Sequence, residues 1–479
     1  MIRRRTTVAI VGGGFSGCMV AVHLLQHAQP PLRVVLIDRA DAPGRGVAYR
    51  DQPECHLLNV RAEAMSAFPD RPDHFLDWLN SAYSPCHPVG TGEYLPRRIY
   101  GLYIESLLAE AQRNARRGVG LELRGGEVLG LRRSRDGVSL RLAGGGQLRA
   151  DRVVLALGNP GPADPPLADP GFYGNPRYLG NAWSSPGLYS IRRDENLLLI
   201  GSGLTALDWL AALQGVGHHG HIHVVSRRGL LPQLHRAAAP RALSFDPLQL
   251  PPQVRPLLRR LRTEAAQAEA QGADWRAVID ALRPFTQPLW QRLPSAEQRR
   301  FLRHLRPYWE VHRHRAAPAI VESVYQLLGS GRLQLIAGRI ESMQEQGGQV
   351  EVRLRLRDGG ATRTLLVQRA VNCTGPESSY RRLGTPLLVS LRERGLIVPD
   401  ELGLGLLTDA QGALLDRDGR ASDWLHTLGP ARKGQLWETT AVPEIRVQAQ
   451  ALARRLLQLD GLDTKAESSA GMEKPRISV

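Results

Sequence analysis

The residues with the clearest chemical potential are two short glycine runs. Gly12-Gly13-Gly14-Phe15-Ser16-Gly17 follows the β-branched run Thr7–Val11 and precedes Cys18–His27, which reads as a helix. Strand, G-x-G-x-x-G and helix in that order form a dinucleotide-binding turn. Gly12 permits the tight bend, Gly14 lets the backbone approach a pyrophosphate, and Gly17 lets the helix sit close on the strand. Phe15 and Ser16 then lie at the helix N-terminus, where amides and a partial positive charge meet phosphate. A second strand, Arg33–Ile37, ends in Asp38-Arg39, with Asp38 placed 21 residues after Gly17. A carboxylate there suits a ribose diol and repels a 2′-phosphate. Arg39 beside it is a candidate contact for the same cofactor.

The pattern recurs in Asn196–Ile200 followed by Gly201-Ser202-Gly203-Leu204-Thr205-Ala206. Here the second strand, His221–Val225, ends in Ser226-Arg227-Arg228 rather than an acid. One hydroxyl and two guanidiniums could hold a 2′-phosphate, although Arg227 and Arg228 could equally be surface charges. The first loop therefore reads as an FAD site. The second reads as an NADPH site, with NADH still possible.

These loops need strands to hold them, and the chain supplies two similar sets. After the first loop come Glu127–Arg132, Val138–Leu142 and Gln147–Arg149, then a buried strand ending in Leu157-Gly158. After the second come Leu333–Ile340, Gln349–Leu356 and Thr362–Val367, then a strand ending in Thr374-Gly375. Val128, Gly158 and Gly375 are accordingly cofactor candidates. The duplication predicts an α/β fold with two nested Rossmann-like FAD and NAD(P) domains. We place the first FAD part at 1–190, the NAD(P) domain at 191–239 and 319–375, and the second FAD part at 376–463. Residues 240–318 are Arg-rich and read as a helical insertion in which Ser295 and Gln298 would form a capping box. Residues 464–479 are polar and read as a disordered tail.

Composition narrows the function classes. The 479 residues are 42% hydrophobic, enough for sizeable cores, and no apolar run reaches membrane-spanning length. No signal peptide is evident, so a cytoplasmic protein without a membrane partner is expected. The net charge of +16 comes almost entirely from scattered arginines, with no basic stripe or module for nucleic acid. Cys18, Cys55, Cys86 and Cys373 are too far apart in sequence for a zinc motif or a C-x-x-C dithiol. His219, His221 and His223 alternate and would share one face of a strand, but their place at a strand entrance favours an ordinary core or loop role over metal.

Further stretches carry a family resemblance. They include Gly44-Arg45-Gly46-Val47-Ala48-Tyr49, His56-Leu57-Leu58-Asn59-Val60, Pro96-Arg97-Arg98-Ile99-Tyr100-Gly101, Ser226–Pro232, and Gly429-Pro430 leading to Trp437–Arg446. With the glycine loops, these make residues 6–460 resemble the two-dinucleotide FAD/NAD(P) flavoproteins. That group includes FAD-dependent urate hydroxylases and L-aspartate N-monooxygenases, with ornithine and lysine N-hydroxylases more distant. Two departures stand out: Leu428-Gly429-Pro430 lacks the acid that reductase relatives place at the ribityl chain, and no intact Baeyer–Villiger motif occurs. Flavin contact at Gly429 would then use backbone donors.

The resemblance implies an FAD-dependent, NAD(P)H-consuming monooxygenase. It would hydroxylate a small polar nitrogen compound with O₂ through a flavin C4a-hydroperoxide. His56, Asn59 and Arg97 are the candidate catalytic residues. His56 has a structural alternative, and Arg97 with Arg98 could clamp an anion or merely begin a helix, Tyr100–Arg113. Thr440 and Ala441 open the last helix, where amides would stabilise negative charge on the flavin. Tyr308–Arg315 reads as either a packed helix end or a cap over the site. Two other functions fit the same residues: a flavin reductase or dehydrogenase without oxygenation, and a non-catalytic FAD-binding redox sensor.

Overall fold

The structure is a computed structural model that describes residues 5–39, 43–50 and 52–462. The expected tail lies outside the described residues. Strands β1 (Thr6–Val11), β2 (Leu32–Asp38) and β3 (Val119–Gly125) run parallel, with Val8 opposite Val34 and Leu32 opposite Val119. Val8, Ile10, Val34 and Leu36 are buried, as expected for strands covered on both faces. Between β1 and β2 lies the helix Phe15–His27, which is buried from Phe15 to Leu25. It has no polar stripe because it packs under helices Arg97–Arg113 and Val442–Leu459 as well as on the sheet. Each fully buried Leu, Val or Met contributes about 1.5–3 kcal/mol, so the loop at this helix's N-terminus is held in place by its core.

The chain then forms a small antiparallel sheet of β4 (Val128–Ser134), β5 (Gly137–Leu142) and β6 (Gln147–Ala150). It returns through β7 (Arg152–Leu155), parallel to β1. The next strands, β8 (Tyr178–Leu179), β9 (Leu197–Ile200) and β10 (Ile222–Ser226), open a second sheet. Its remaining strands are β11 (Leu333–Gln346), β12 (Gln349–Leu356), β13 (Thr362–Val367) and β14 (Arg369–Asn372), in the order β13-β12-β11-β10-β9-β14-β8. Finally β15 (Ala413–Leu415) and β16 (Ala421–Thr427) complete the first sheet, ordered β15-β16-β7-β1-β2-β3. The second sheet is thus inserted between two parts of the first, which is the nested α/β architecture expected from the repeat.

Five helices lie between β10 and the helix Pro318–Gly329: Val254–Ala270, Trp275–Leu282, Thr286–Arg292, Ser295–His304 and Arg306–Arg313. Three local expectations need correction. Ser295 does not cap its helix: the N-cap is Pro294, which puts Ser295 one position too far inside to accept from N3, and Gln298 instead donates to the Trp290 carbonyl at 3.0 Å. The histidines do not share a strand face, because β10 begins at Ile222 and only His223 lies on it. The helix expected over Tyr100–Arg113 begins at Arg97, which places Arg97 and Arg98 in its first turn. No helix among the described residues is long and apolar enough to cross a membrane.

Candidate functional site: two dinucleotide loops and a cavity beside the second

Both glycine loops are pressed against the end of a crossover strand. Gly12 has φ +111°, and a Cβ there would collide with the Ala156 carbonyl. Gly201 has φ +105°, and its Cβ would lie 2.6 Å from the Cys373 carbonyl oxygen. Only glycine meets both demands. A Cβ on Gly17 would in turn strike the Gly12 carbonyl; Ala206, fully buried, takes that place in the second loop.

The middle glycines are different. Gly14 is extended (φ −76°) and its Cβ would meet only the Gly46 Cα, at 3.5 Å. Gly203 is also extended (φ −84°), with nothing within 4 Å of a Cβ. No side chain caps either helix, and the amides of Phe15, Ser16, Leu204 and Thr205 have no acceptor among the described residues. Unpaired amides beside open space are what an incoming pyrophosphate needs. The residues present therefore fit a dinucleotide at each loop.

Around the first loop, the Asp38 carboxylate accepts from the Gly13 amide, which draws it to the glycine turn. Arg39 pairs with Glu127 at 2.6 Å, next to Val128, whose side chain is buried in the core and leaves only backbone to offer. Gly429 (φ +70°) faces Ser16, with its Cβ position 3.2 Å from the Ser16 Oγ. The expected backbone donor at Gly429 is already used, however: its amide donates to Gln448 Oε1 at 3.0 Å. Thr440 is exposed and Ala441 is the N-cap of Val442–Leu459, again without a side-chain cap. Gly158 and Gly375 both have positive φ (+62° and +86°) and open surroundings at the ends of β7 and β14.

Around the second loop, Ser226 turns inward. Its hydroxyl meets that of Ser202 at 2.8 Å and accepts from the Gly229 amide at 3.1 Å, so it holds the turn and is not a free phosphate ligand. Arg227 is exposed. Arg228 lies over the Tyr308 ring at 5.0 Å and donates to its hydroxyl at 3.2 Å, so Tyr308 packs as a platform for a basic side chain. Arg357, exposed just after β12, reaches the Arg227 carbonyl at 3.5 Å and adds a third guanidinium that the sequence reading missed.

Beside the second loop lies a cavity of about 310 Å³, lined by Gln52, His56, Arg97, Thr205, Asp208 and Trp209 among others. Its floor is an ion pair between the two nucleotide-binding units, from Arg97 Nη2 to Asp208 Oδ2 at 2.8 Å. Arg97 also donates from Nε to the Leu57 carbonyl (3.0 Å) and from its amide to the His56 carbonyl (2.9 Å), which locks the 56–57 loop to the helix start. His56 Nδ1 lies 3.2 Å from Gln52 Oε1, and its Nε2 is buried without a partner. Burial holds the His56 imidazole below its ordinary pKa; Arg97 pushes the same way and Asp208 opposes them. Asn59 is half-buried beyond this loop and is not among the cavity-lining residues. Asp208 was missed by sequence reading. The signal was a lone carboxylate on an otherwise apolar helix, one turn after Thr205 and on the same face.

Comparisons with known proteins agree with this geometry. Residues 9–160 match a family model described as FAD-NAD(P)-binding. No curated protein matches the chain. Among solved structures, the reduced ornithine hydroxylase of Pseudomonas aeruginosa superimposes with a TM-score of 0.64 at 16% identity, covering 95% of this chain and 100% of that one. The FAD-bound cadaverine monooxygenase of Erwinia amylovora gives 0.63 at 14% identity, covering 99% of each chain. The ornithine N-hydroxylase of Kutzneria sp. 744 gives 0.62 at 12% identity, covering 95% and 100%. At such identities the likeness is one of fold: an α/β protein of FAD/NAD(P)-binding type with two large sheets and a small antiparallel one, whose first glycine loop lies inside the matched family region.

Proposed function

We propose that the chain is an FAD-dependent, NADPH-consuming monooxygenase that hydroxylates the nitrogen of a small amine or amino acid. The observation that carries the reading is the pair of open glycine loops, with a cavity beside the second in whose lining Arg97 of the first unit pairs with Asp208 of the second. The solved structures of similar fold named as ornithine, cadaverine and lysine monooxygenases support the nitrogen nucleophile. FAD, when bound, supplies the hydride acceptor for NADPH and the site of O₂ activation.

The chain's own residues do the rest. The amides of Phe15 and Ser16 bind one pyrophosphate, and those of Leu204 and Thr205 the other. Asp38 receives the FAD ribose; Arg227, Arg228 and Arg357 receive the 2′-phosphate of NADPH. The Arg97–Asp208 pair ties the two nucleotide-binding units together, which would orient a cofactor held in one toward a cofactor held in the other. His56, kept neutral by burial, hydrogen-bonds at the cavity wall without adding charge there. The N-terminus of Val442–Leu459, packed beside Gly429, adds a positive dipole end next to the first loop.

The test is NADPH oxidation by the FAD-loaded protein with ornithine, lysine, cadaverine, aspartate and urate, with peroxide and hydroxylamine measured together. One of the amines should raise NADPH oxidation and yield hydroxylamine as peroxide falls. Oxidation unchanged by every compound, with electrons passing to artificial acceptors, would replace this reading with a reductase.

A further inference from the structure

Positive charge that is scattered along the sequence is gathered at one place in the fold. Arg132, Arg141 and Arg149 lie on three adjacent strands, β4, β5 and β6, and the pairing register fixes their relation. Arg132 is opposite Ser139 and Ser139 is opposite Arg149, while Arg141 is one side-chain step further along β5 on the same face. The alternate residues Leu131, Val138, Leu140 and Leu148 are buried in the core, so the three arginines stand on the outer face, where each is exposed. With strands about 4.8 Å apart and a rise of about 3.4 Å per residue, their Cα atoms form a triangle with sides of roughly 8–10 Å, and Ser139 sits at the middle of one side.

This face is concave. A cavity of about 520 Å³ lies over it, walled on one side by Ser390 and the C-cap residue Arg394 of the helix Pro386–Glu393, which packs against β4. Gly130 provides the room: a Cβ there would stand 3.7 Å from Arg141 Nη2 and 3.8 Å from Ser390 Oγ, so a longer side chain would fill the gap between sheet and helix. Arg394 is anchored at the rim by its bond to the Leu131 carbonyl. The lining holds four arginines against one carboxylate, Asp136, in the β4–β5 turn. Among the described residues, Arg132, Arg141 and Arg149 have no hydrogen-bond or ion-pair partner. Other arginines on strands do find one: Arg33, Arg355 and Arg369 pair with Glu122, Glu341 and Glu195. The cavity is thus a set of converging donors without an acceptor.

We propose that this cavity binds a linear oligophosphate, either free or as the phosphate chain of a nucleotide. Each guanidinium fork can meet phosphate oxygens through two parallel charge-assisted bonds, and it stays charged throughout the physiological pH range. A single oxyanion reaches only one or two corners of the triangle, whereas a chain of two or three phosphoryl groups spans it and neutralises the surplus charge. Ser139 and Ser390 add neutral donors between the corners. The enclosed shape fits a small ligand, not the extended stripe that a nucleic acid needs. The cavity shares no lining residue with the glycine loops or with the cavity beside Arg97, so the inference does not rest on the hydroxylation reading.

The test is calorimetric titration of tripolyphosphate, ATP and citrate into the FAD-loaded full chain at physiological salt, repeated on two variants. Arg132→Gln with Arg149→Gln removes two corners of the triangle; both side chains are exposed and unbonded, so Tm should not change. Arg255→Gln with Arg259→Gln removes the same charge from exposed positions on the helix Val254–Ala270. Tripolyphosphate should bind the native protein at a site that the first variant weakens about tenfold to hundredfold and the second leaves within about twofold. Tighter binding of ATP identifies a nucleotide as the ligand, and equal or weaker binding identifies the phosphate chain alone; both require the same loss in the first variant. The proposal is overturned if millimolar tripolyphosphate does not bind, if the first variant binds it as the native protein does, or if both variants weaken it equally. It is also overturned if citrate binds as tightly, or if a short DNA duplex binds more tightly and is lost with the same two arginines. The hydroxylation reading stands or falls separately, on NADPH oxidation and hydroxylamine.

Discussion

Gly203 and Gly201 are separated by one residue, yet substituting alanine at each should have opposite consequences. At Gly203 the backbone is extended and nothing lies within 4 Å of a new Cβ. Gly203→Ala should therefore leave the fold intact, and by restricting the unfolded chain should change stability by no more than about 0.4–1 kcal/mol in the favourable direction. The same Cβ would stand where a pyrophosphate must come within hydrogen-bonding distance of the helix amides. Losing one or two such charge-assisted bonds, at about 1.5 kcal/mol each, corresponds to a tenfold to hundredfold weaker NADPH affinity.

Gly201→Ala meets both a positive φ and the Cys373 carbonyl at 2.6 Å. It should destabilise by about 2–3 kcal/mol through backbone strain and a forced shift of the strand end. The assay pairs thermal unfolding with titration of NADPH against each FAD-loaded variant. The reasoning is refuted if Gly203→Ala lowers Tm as much as Gly201→Ala does, or if it binds NADPH as well as the native protein.

Three other outcomes are expected. In a double-mutant cycle on urea unfolding, Arg97→Ala and Asp208→Ala should each cost about 2–4 kcal/mol, with a coupling above about 1 kcal/mol because each partner leaves a largely buried charge unpaired; additive losses would mean that the pair is screened by solvent. Arg227→Gln combined with Arg357→Gln should weaken NADPH binding about tenfold and leave NADH unchanged, and equal loss for both cofactors would remove these arginines from the 2′-phosphate. His23 and His426 are buried and held at a pKa of about 4, so they are neutral in the folded protein. Unfolding restores a pKa near 6.5 and the unfolded state then binds more protons, so stability is complete above that value and falls as pH drops from about 6.5 to 4. At pH 5 each contributes a loss of about 2 kcal/mol; a His23→Leu variant whose urea midpoint shows the native pH slope would contradict this.

The fold was largely legible because its determinants are local. Strand, glycine turn and helix are contiguous, so residues 6–38 and 196–226 announce two dinucleotide units by themselves; the carbonyls that require glycine at 12 and 201, from Ala156 and Cys373, arrive only with the fold. Nesting followed from the order of the repeats. What sequence could not supply was the partner of each polar group. Ser226 stands where a phosphate ligand was expected, but Ser202 and Gly229 claim its hydroxyl. Gly429 lost its free amide to Gln448, 19 residues on. Ser295 has the spacing of a cap, yet it is the first helical residue and the preceding proline is the N-cap.

The functional pairings are longer still. Arg97 finds Asp208 only because two separately folded sheets face each other, and Arg357 joins Arg227 only because β11 runs alongside both β10 and β12. Arg313 meets Glu438 and Glu444 only as ion pairs at 3.9 Å, because Trp309 takes one oxygen of Glu438 and Arg283 one oxygen of Glu444. Spacing along the chain encodes the periodic hydrophobic and turn preferences that build elements. Whether a charge is paired, buried or left waiting for a ligand is set by side chains brought together from far along the chain, and that is decided only in the folded protein.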